Sequence, residues 1–204
     1  MRYHDIDWTM IVLIASFSLS LLILTALAIA ASPQLERAVL LSESVRSASP
    51  LDAAEALERH EDVRSYILAD GELEGATVAE ASHLRDVRRL VDILIGVALI
   101  SLAFGIGALR RRDLAYRTIA RRVSVTIITT IVAITAIALL LGFNSFFWNF
   151  HLLFFPQGNF TFPADSYLIS LYPQVFFAHM AAWTGGLMIA IYAVIGILSR
   201  RESY

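Results

Sequence analysis

Uncharged apolar runs recur four times along the chain. Thr9 to Ala31, Ile93 to Leu109, Val123 to Phe143 and Val175 to Leu198 contain no Asp, Glu or Arg. A membrane helix needs about 20 such residues. The pattern therefore predicts spans over about 9–31, 92–110, 123–143 and 175–198. Trp8 stands at the first span as an interface anchor. That first run is long, lacks a small-residue cleavage pattern and precedes further spans, so it reads as retained. The fold class is an all-α polytopic membrane protein, a single membrane domain over 1–204.

Between the spans the pattern changes twice. Segment 32–91 is polar and too long to be structureless in so small a protein. Ser49-Pro50 with Asp52 reads as a helix start, with Pro50 at the first helical position and Gly71 as the stop. Leu57, Val63, Tyr66 and Ile67 give that helix a loose apolar face. A second helix is expected from Thr77, running unbroken into the second span. His83 then stands about ten residues, or roughly 15 Å, above the hydrocarbon. Segment 144–174 is of another kind. From Phe143 to Phe177 lie 13 of the 22 aromatic residues, too many for a solvated loop. Such a run belongs in the membrane interface or in a plug of the bundle.

Charge sets the orientation. The loop 110–122 holds Arg110, Arg111, Arg112, Arg117, Arg121 and Arg122, and the tail adds Arg200 and Arg201. Positive residues stay inside, which predicts a cytoplasmic loop 110–122, cytoplasmic termini and outward loops 32–91 and 144–174. Any chemistry carried by the outward loops then lies at the extracytoplasmic face. The net charge of −2 implies no nucleic-acid partner, and the absence of cysteine excludes disulfides and thiol chemistry. With 57% hydrophobic and 17% charged residues, a cytosolic enzyme and a disordered chain are both excluded.

Candidate chemistry rests on histidines. His4 is on a short tail and receives no role. His60, among Glu58, Arg59, Glu61 and Asp62, reads as a solvated helix face. His179, just inside the fourth span, is read as a structural hydrogen bonder ahead of a haem ligand. His151 is a titratable group inside an aromatic run at membrane depth, which makes it a functional candidate; a free imidazole, with a pKa of about 6.5, serves as base and acid near neutrality. The alternative is an interfacial histidine bonded to a backbone carbonyl. His83 shares a helix face with Asp86, whose carboxylate is placed to orient the ring. Arg85, Arg88 and Arg89 nearby are candidates for a lipid phosphate or an oxyanion. Asp165 and Ser166 after Pro163 read as a turn or helix cap, or as the acid of a weak Ser-His-Asp arrangement. No phosphate-binding glycine loop, zinc motif or Gly-x-Ser-x-Gly elbow occurs, so no cofactor and no metal are expected.

The second loop carries a more specific pattern. It reads Phe147-x-x-Phe150-His151-x-x-Phe154-Phe155, then Phe160-x-Phe162-Pro163, then Leu168-Ile169-x-Leu171-Tyr172-Pro173-x-x-Phe176-Phe177. This resembles the Lit family of bacterial four-span lipoprotein intramolecular transacylases. Arg64-Ser65-Tyr66-Ile67 and His83-Leu84-Arg85-Asp86-Val87 extend the resemblance upstream. Phe160 stands where the family commonly has Trp, Gln174 where it often has Glu, and Asn144 near Phe143 where it has an acid.

The resemblance implies an acyltransferase whose partners are diacylglyceryl-modified lipoproteins and membrane lipids. The sn-2 acyl chain of an S-diacylglyceryl-cysteine moves to the cysteine α-amine, giving a lyso-form lipoprotein. The family's two essential histidines fall on His83 and His151. Asp86, Arg85, Arg89, Tyr66, Phe150, Phe154, Phe155 and Asp165 are the supporting candidates. The alternatives are a phospholipid acyl hydrolase or transferase with the same histidines, a non-catalytic envelope protein that binds lipid or a partner, and a haem carrier.

Overall fold

Long apolar stretches without helix breakers fold as long helices, and short polar segments with capping residues fold as short ones. The computed structural model describes residues 7–69, 71, 73–110 and 116–200. His4, Arg111, Arg112 and Arg201 lie outside the described residues. In chain order the helices are α1 (Trp8–Ala30), α2 (Pro33–Leu40), α3 (Glu43–Arg46), α4 (Ala53–Ala69), α5 (Val78–Leu109), α6 (Tyr116–Leu141), α7 (Phe143–Phe154), α8 (Tyr167–Leu171) and α9 (Gln174–Leu198). Four of them, α1, α5, α6 and α9, are long and apolar enough to cross a membrane. Most side chains of their apolar windows are not buried within the protein, as expected of helices whose outward faces meet lipid.

One compact unit comprises Met1–Leu27, Leu94–Ile134 and Gly185–Tyr204. Its interior is made by Leu13, Ala98, Val123, Ile127, Met188 and Tyr192. Between membrane helices no water is displaced, so close packing does the work and small residues are favoured at contacts. Gly105 lies against the Phe17 ring, where a Cβ would come within 3.3 Å of it. The Tyr192 hydroxyl bonds Thr25 Oγ1 (3.1 Å) and the Leu21 carbonyl (3.3 Å), so its polar tip is satisfied away from water.

The second unit comprises Ala28–Ile93 and Thr135–Thr184. Val39, Leu40, Val45, Val63, Leu84 and Leu171 are among the buried residues of its core. Its short helices are fixed by caps. Ser32 accepts from the Leu35 N–H at the start of α2, with Pro33 in the first turn. Asp52 accepts from the Glu55 N–H at 2.9 Å and caps α4. The helix therefore begins at Ala53, and Pro50 lies in the bend before it, not at the first helical position. The Asp52 side chain satisfies a free N–H of the first turn, which proline only leaves absent. Gly71 does close α4: its N–H bonds the Ser65 carbonyl at 3.2 Å. Gly142, at φ +76°, separates α6 from α7 in a conformation that favours glycine.

His60 is buried, at 3% exposure, which corrects its reading as a solvated residue. Helical spacing puts it on the face of Ala56 and Val63, and that face turns inward. Its Nδ1 pairs with the Tyr172 hydroxyl at 2.8 Å. Glu36 lies 3.7 Å from Nε2 and is held in turn by Arg64 at 3.0 Å, whose other arm reaches the Ala31 carbonyl. The network joins α2, α4 and the chain before α9. Replacing His60 by alanine is expected to lower stability by about 2–4 kcal/mol, because it strands the Tyr172 hydroxyl and opens a cavity. Thermal unfolding in detergent measures it, and an unshifted midpoint would contradict the structural importance of this network.

Candidate active site

The site grows from two helices of the second unit. Helix α5 begins with a reciprocal cap. Glu80 N–H donates to Thr77 Oγ1 (3.3 Å), while Glu80 Oε2 accepts from the Thr77 N–H (2.9 Å) and hydroxyl (2.8 Å). The other Glu80 oxygen accepts from the Leu168 N–H at 2.8 Å, pinning α8 to the start of α5. Burial alone would raise this carboxyl, but the bonds from Leu168 and Thr77 outweigh it and hold it below the ordinary range. Glu80 escaped the sequence reading, although Thr77-x-x-Glu80 is a recognisable capping signature. The first turns of α5, which carry His83 and Asp86, precede the uncharged stretch that begins at Ile93 and so stand outside the hydrocarbon.

Helix α7 carries His151 one turn after Phe147. The His151 Nδ1 is 2.8 Å from the Phe147 carbonyl oxygen. A carbonyl only accepts, so the proton sits on Nδ1 and the Nε2 lone pair is free. Of the two readings of His151, the backbone hydrogen bond is the one observed, and it leaves Nε2 as the ring's available nitrogen.

The two imidazoles face each other. The His83 and His151 rings are stacked with centroids 6.0 Å apart and planes 29° apart. Phe155, buried, meets His83 edge-on at 4.8 Å and His151 at 5.6 Å. Phe147 (4.2 Å), Phe160 (5.1 Å) and Phe150 (5.5 Å) surround His151, and Phe162 lies 5.8 Å from His83. His83 is 8% exposed, and its Nδ1 has no hydrogen-bond partner. Burial, with the neighbouring His151, lowers its pKa to about 4 against the opposing pull of Asp86, so it is neutral at physiological pH.

Asp86 does not orient His83 through a hydrogen bond. Its Oδ2 accepts from Asn159 Nδ2 (2.7 Å) and Gln157 Nε2 (2.9 Å), and its Oδ1 from Arg89 (3.2 Å). Asp86 therefore ties α5 to the turn after α7, where Gly158 has φ +78°. The Asn159 bond, helped by Gln157 and Arg89, keeps this carboxyl below the ordinary carboxylate range. Gln157 and Asn159 were invisible to the sequence reading, since no local pattern pairs them with a residue so distant in the chain.

The remaining candidates divide. Tyr66 braces α4 on α5, its hydroxyl on the Ala81 carbonyl (3.4 Å) and its own carbonyl taking Arg88 (3.4 Å). Arg85 and Arg89 are exposed on α5. Phe150 and Phe154 pair at 4.7 Å on the outer side of α7, each 40% exposed. Asp165 is elsewhere: it lines a polar cavity of about 540 Å³ with Glu55, Glu58, Asp62 and Glu74. The helix cap belongs to its neighbour Ser166, which accepts from the Ile169 N–H. His179 bonds Ser44 at 3.4 Å, in keeping with a structural role. Among the described residues no cluster of three or more His, Cys, Asp or Glu is placed to hold a metal ion.

Comparison with known proteins agrees with this architecture. A solved structure of the membrane-integral lipoprotein intramolecular transacylase Lit from Bacillus cereus superposes with a TM-score of 0.79 at 17% identity, over 94% of this chain and 93% of that one. Two variants of the Bacillus cereus protein, each with a histidine replaced, by arginine in one and alanine in the other, give TM-scores of 0.76 and 0.75 at 16% and 17% identity. They cover 94% of this chain and 89% and 90% of theirs. At such identity the likeness speaks for the fold. No curated protein sequence gives a significant match. The family model for lipoprotein intramolecular transacylase Lit matches residues 10–177, which include His83, the aromatic helix α7 and His151. The chain therefore belongs to the lipoprotein intramolecular transacylase Lit family.

Proposed function

We propose that the His83–His151 pair moves the sn-2 acyl chain of an S-diacylglyceryl-cysteine to the α-amine of the same cysteine. The observation that carries this is the facing of two imidazoles inside an aromatic cage, one locked by a backbone carbonyl with Nε2 free. An ester becomes an amide, a downhill exchange that needs no nucleotide. Donor and acceptor belong to one molecule, so the enzyme gains most by fixing a near-attack geometry.

The α-amine, with a pKa near 7.7–8, must lose a proton to attack. His151 Nε2 takes it. The new C–N bond forms on the ester carbonyl, and the negative charge gathers on the former carbonyl oxygen. His83, kept neutral, donates a hydrogen bond to that oxyanion. Collapse breaks the bond to the glyceryl oxygen, which receives the proton back from His151, and the second proton left on the new amide nitrogen passes to the emptied Nε2 and from there to solvent. The phenylalanine rings exclude water, which would otherwise hydrolyse the ester. The arginine-rich loop 110–122 supports a topology with both termini in the cytoplasm and this site on the outer side of the bacterial cytoplasmic membrane.

The test is purified enzyme with a synthetic S-diacylglyceryl lipopeptide carrying different acyl chains at sn-1 and sn-2. The expected product has the sn-2 chain on nitrogen and the sn-1 chain on glycerol, at unchanged total mass. Release of free fatty acid without N-acylation would overturn the reading in favour of a hydrolase.

A further inference from the structure

The reaction needs the acceptor amine held beside His151, yet an α-amine arrives mostly as an ammonium at neutral pH. Something anionic has to receive it. Two carboxylates flank His83 on α5, one turn to either side. Glu80 is 1% exposed and both its oxygens are taken by Thr77 and Leu168. Asp86 differs. Its Oδ2 is filled by Gln157 and Asn159, but Oδ1 receives only Arg89, whose side chain is 75% exposed. An ionised carboxylate has room for about four donors, so Oδ1 retains one place. An exposed ion pair such as that with Arg89 is worth at most about 1 kcal/mol and is readily shared.

Asp86 is also delivered to the right neighbourhood. It follows His83 by three residues on one helix face. Its partner Gln157 is two residues beyond Phe155, and its partner Asn159 immediately precedes Phe160, the two rings that pack on His151. The Asn159 Oδ1 is buried without a donor, while its Nδ2 donates to Asp86 Oδ2 at 2.7 Å, and no hydrogen bond joins Asp86 to His83 among the described residues.

We infer that Asp86 Oδ1 is the binding point for the substrate's α-ammonium, holding the acceptor nitrogen until His151 removes its proton. This rests on the transacylase reading above. It assigns Asp86 a substrate contact in place of the ring-orienting bond expected from sequence.

The experiment uses two synthetic lipopeptides that differ only at the amine, one free and one N-acetylated. Binding is measured to the full-length His151→Ala protein in nanodiscs, so that no turnover intervenes. A charge-assisted hydrogen bond predicts roughly tenfold or tighter binding of the free amine. Adding Asp86→Asn is expected to erase that preference by weakening the free-amine peptide alone. A preference that survives Asp86→Asn, or equal weakening of both peptides, overturns the inference. Gln157→Ala with Asn159→Ala provides the second arm, since it removes the tether but keeps the carboxylate. Retained preference there supports the ammonium site, and loss of it shows Asp86 to be only a tether. Wild-type turnover of the free-amine peptide is measured alongside. Its failure overturns the transacylase reading and this inference together, whereas turnover with an unchanged preference in Asp86→Asn overturns the inference alone.

Discussion

Replacing His151 by alanine is expected to cut the rate of N-acylation by about 10³-fold or more while leaving the protein folded. A general base contributes about 10²–10⁴ in rate, and here the same imidazole both takes the amine proton and returns it to the leaving glyceryl oxygen. The fold should tolerate the change. His151 is only partly buried, and its one hydrogen bond is to a carbonyl of its own helix. The stability cost is about 1 kcal/mol or less. Asparagine at this position is the sharper variant, because it can still bond the Phe147 carbonyl but has no free basic nitrogen. Initial rates, read with a thermal midpoint, decide the matter. Activity within tenfold of wild type in either variant contradicts a base at His151.

The second large effect falls on His83. Loss of an oxyanion donor costs about 10²–10³ in kcat, and His83→Ala is expected to show that loss mainly in kcat, with KM little changed. Unlike His151 it is a packed residue, touching Phe155, Phe162 and His151. Its removal also leaves a cavity and should lower stability by about 1–3 kcal/mol. Glutamine separates the possible roles. A neutral ring that only donates a hydrogen bond is partly replaced by a neutral amide N–H, so His83→Gln should recover part of the rate lost in His83→Ala. A glutamine variant as inactive as alanine would indicate that proton transfer, and not hydrogen bonding, is the duty of His83.

The spans were legible because hydrocarbon imposes a length and an absence of charge that no other environment imposes. The unbroken run from Thr77 into the second span was legible for a similar reason, since nothing between Ala76 and Gly96 interrupts a helix. His60 was misread because identity and neighbours suggested solvent, while burial is decided by which face of α4 packs inward. Helices α2 and α3 were missed, being too short for periodicity to register, though Ser32-Pro33 is a cap and first-turn signal. His83 and His151 could be named from the sequence, but not their stacking, which depends on how α5 and α7 meet. Asp86 shows the limit most plainly. Helical spacing put it beside His83, and its partners came instead from a turn more than seventy residues away.

The measurement that bears most directly on the account is fragmentation of a lipoprotein's N-terminal peptide. The chain would be expressed in a host that makes diacylglyceryl lipoproteins but lacks its own N-acylation step, with His151→Ala as the control. Transacylation conserves mass, so the spectrum must locate each acyl chain. The account predicts one acyl on the cysteine nitrogen and one on glycerol with the wild-type chain, and both on glycerol with the variant. A peptide that remains diacylglyceryl with folded wild-type protein in the membrane would contradict it.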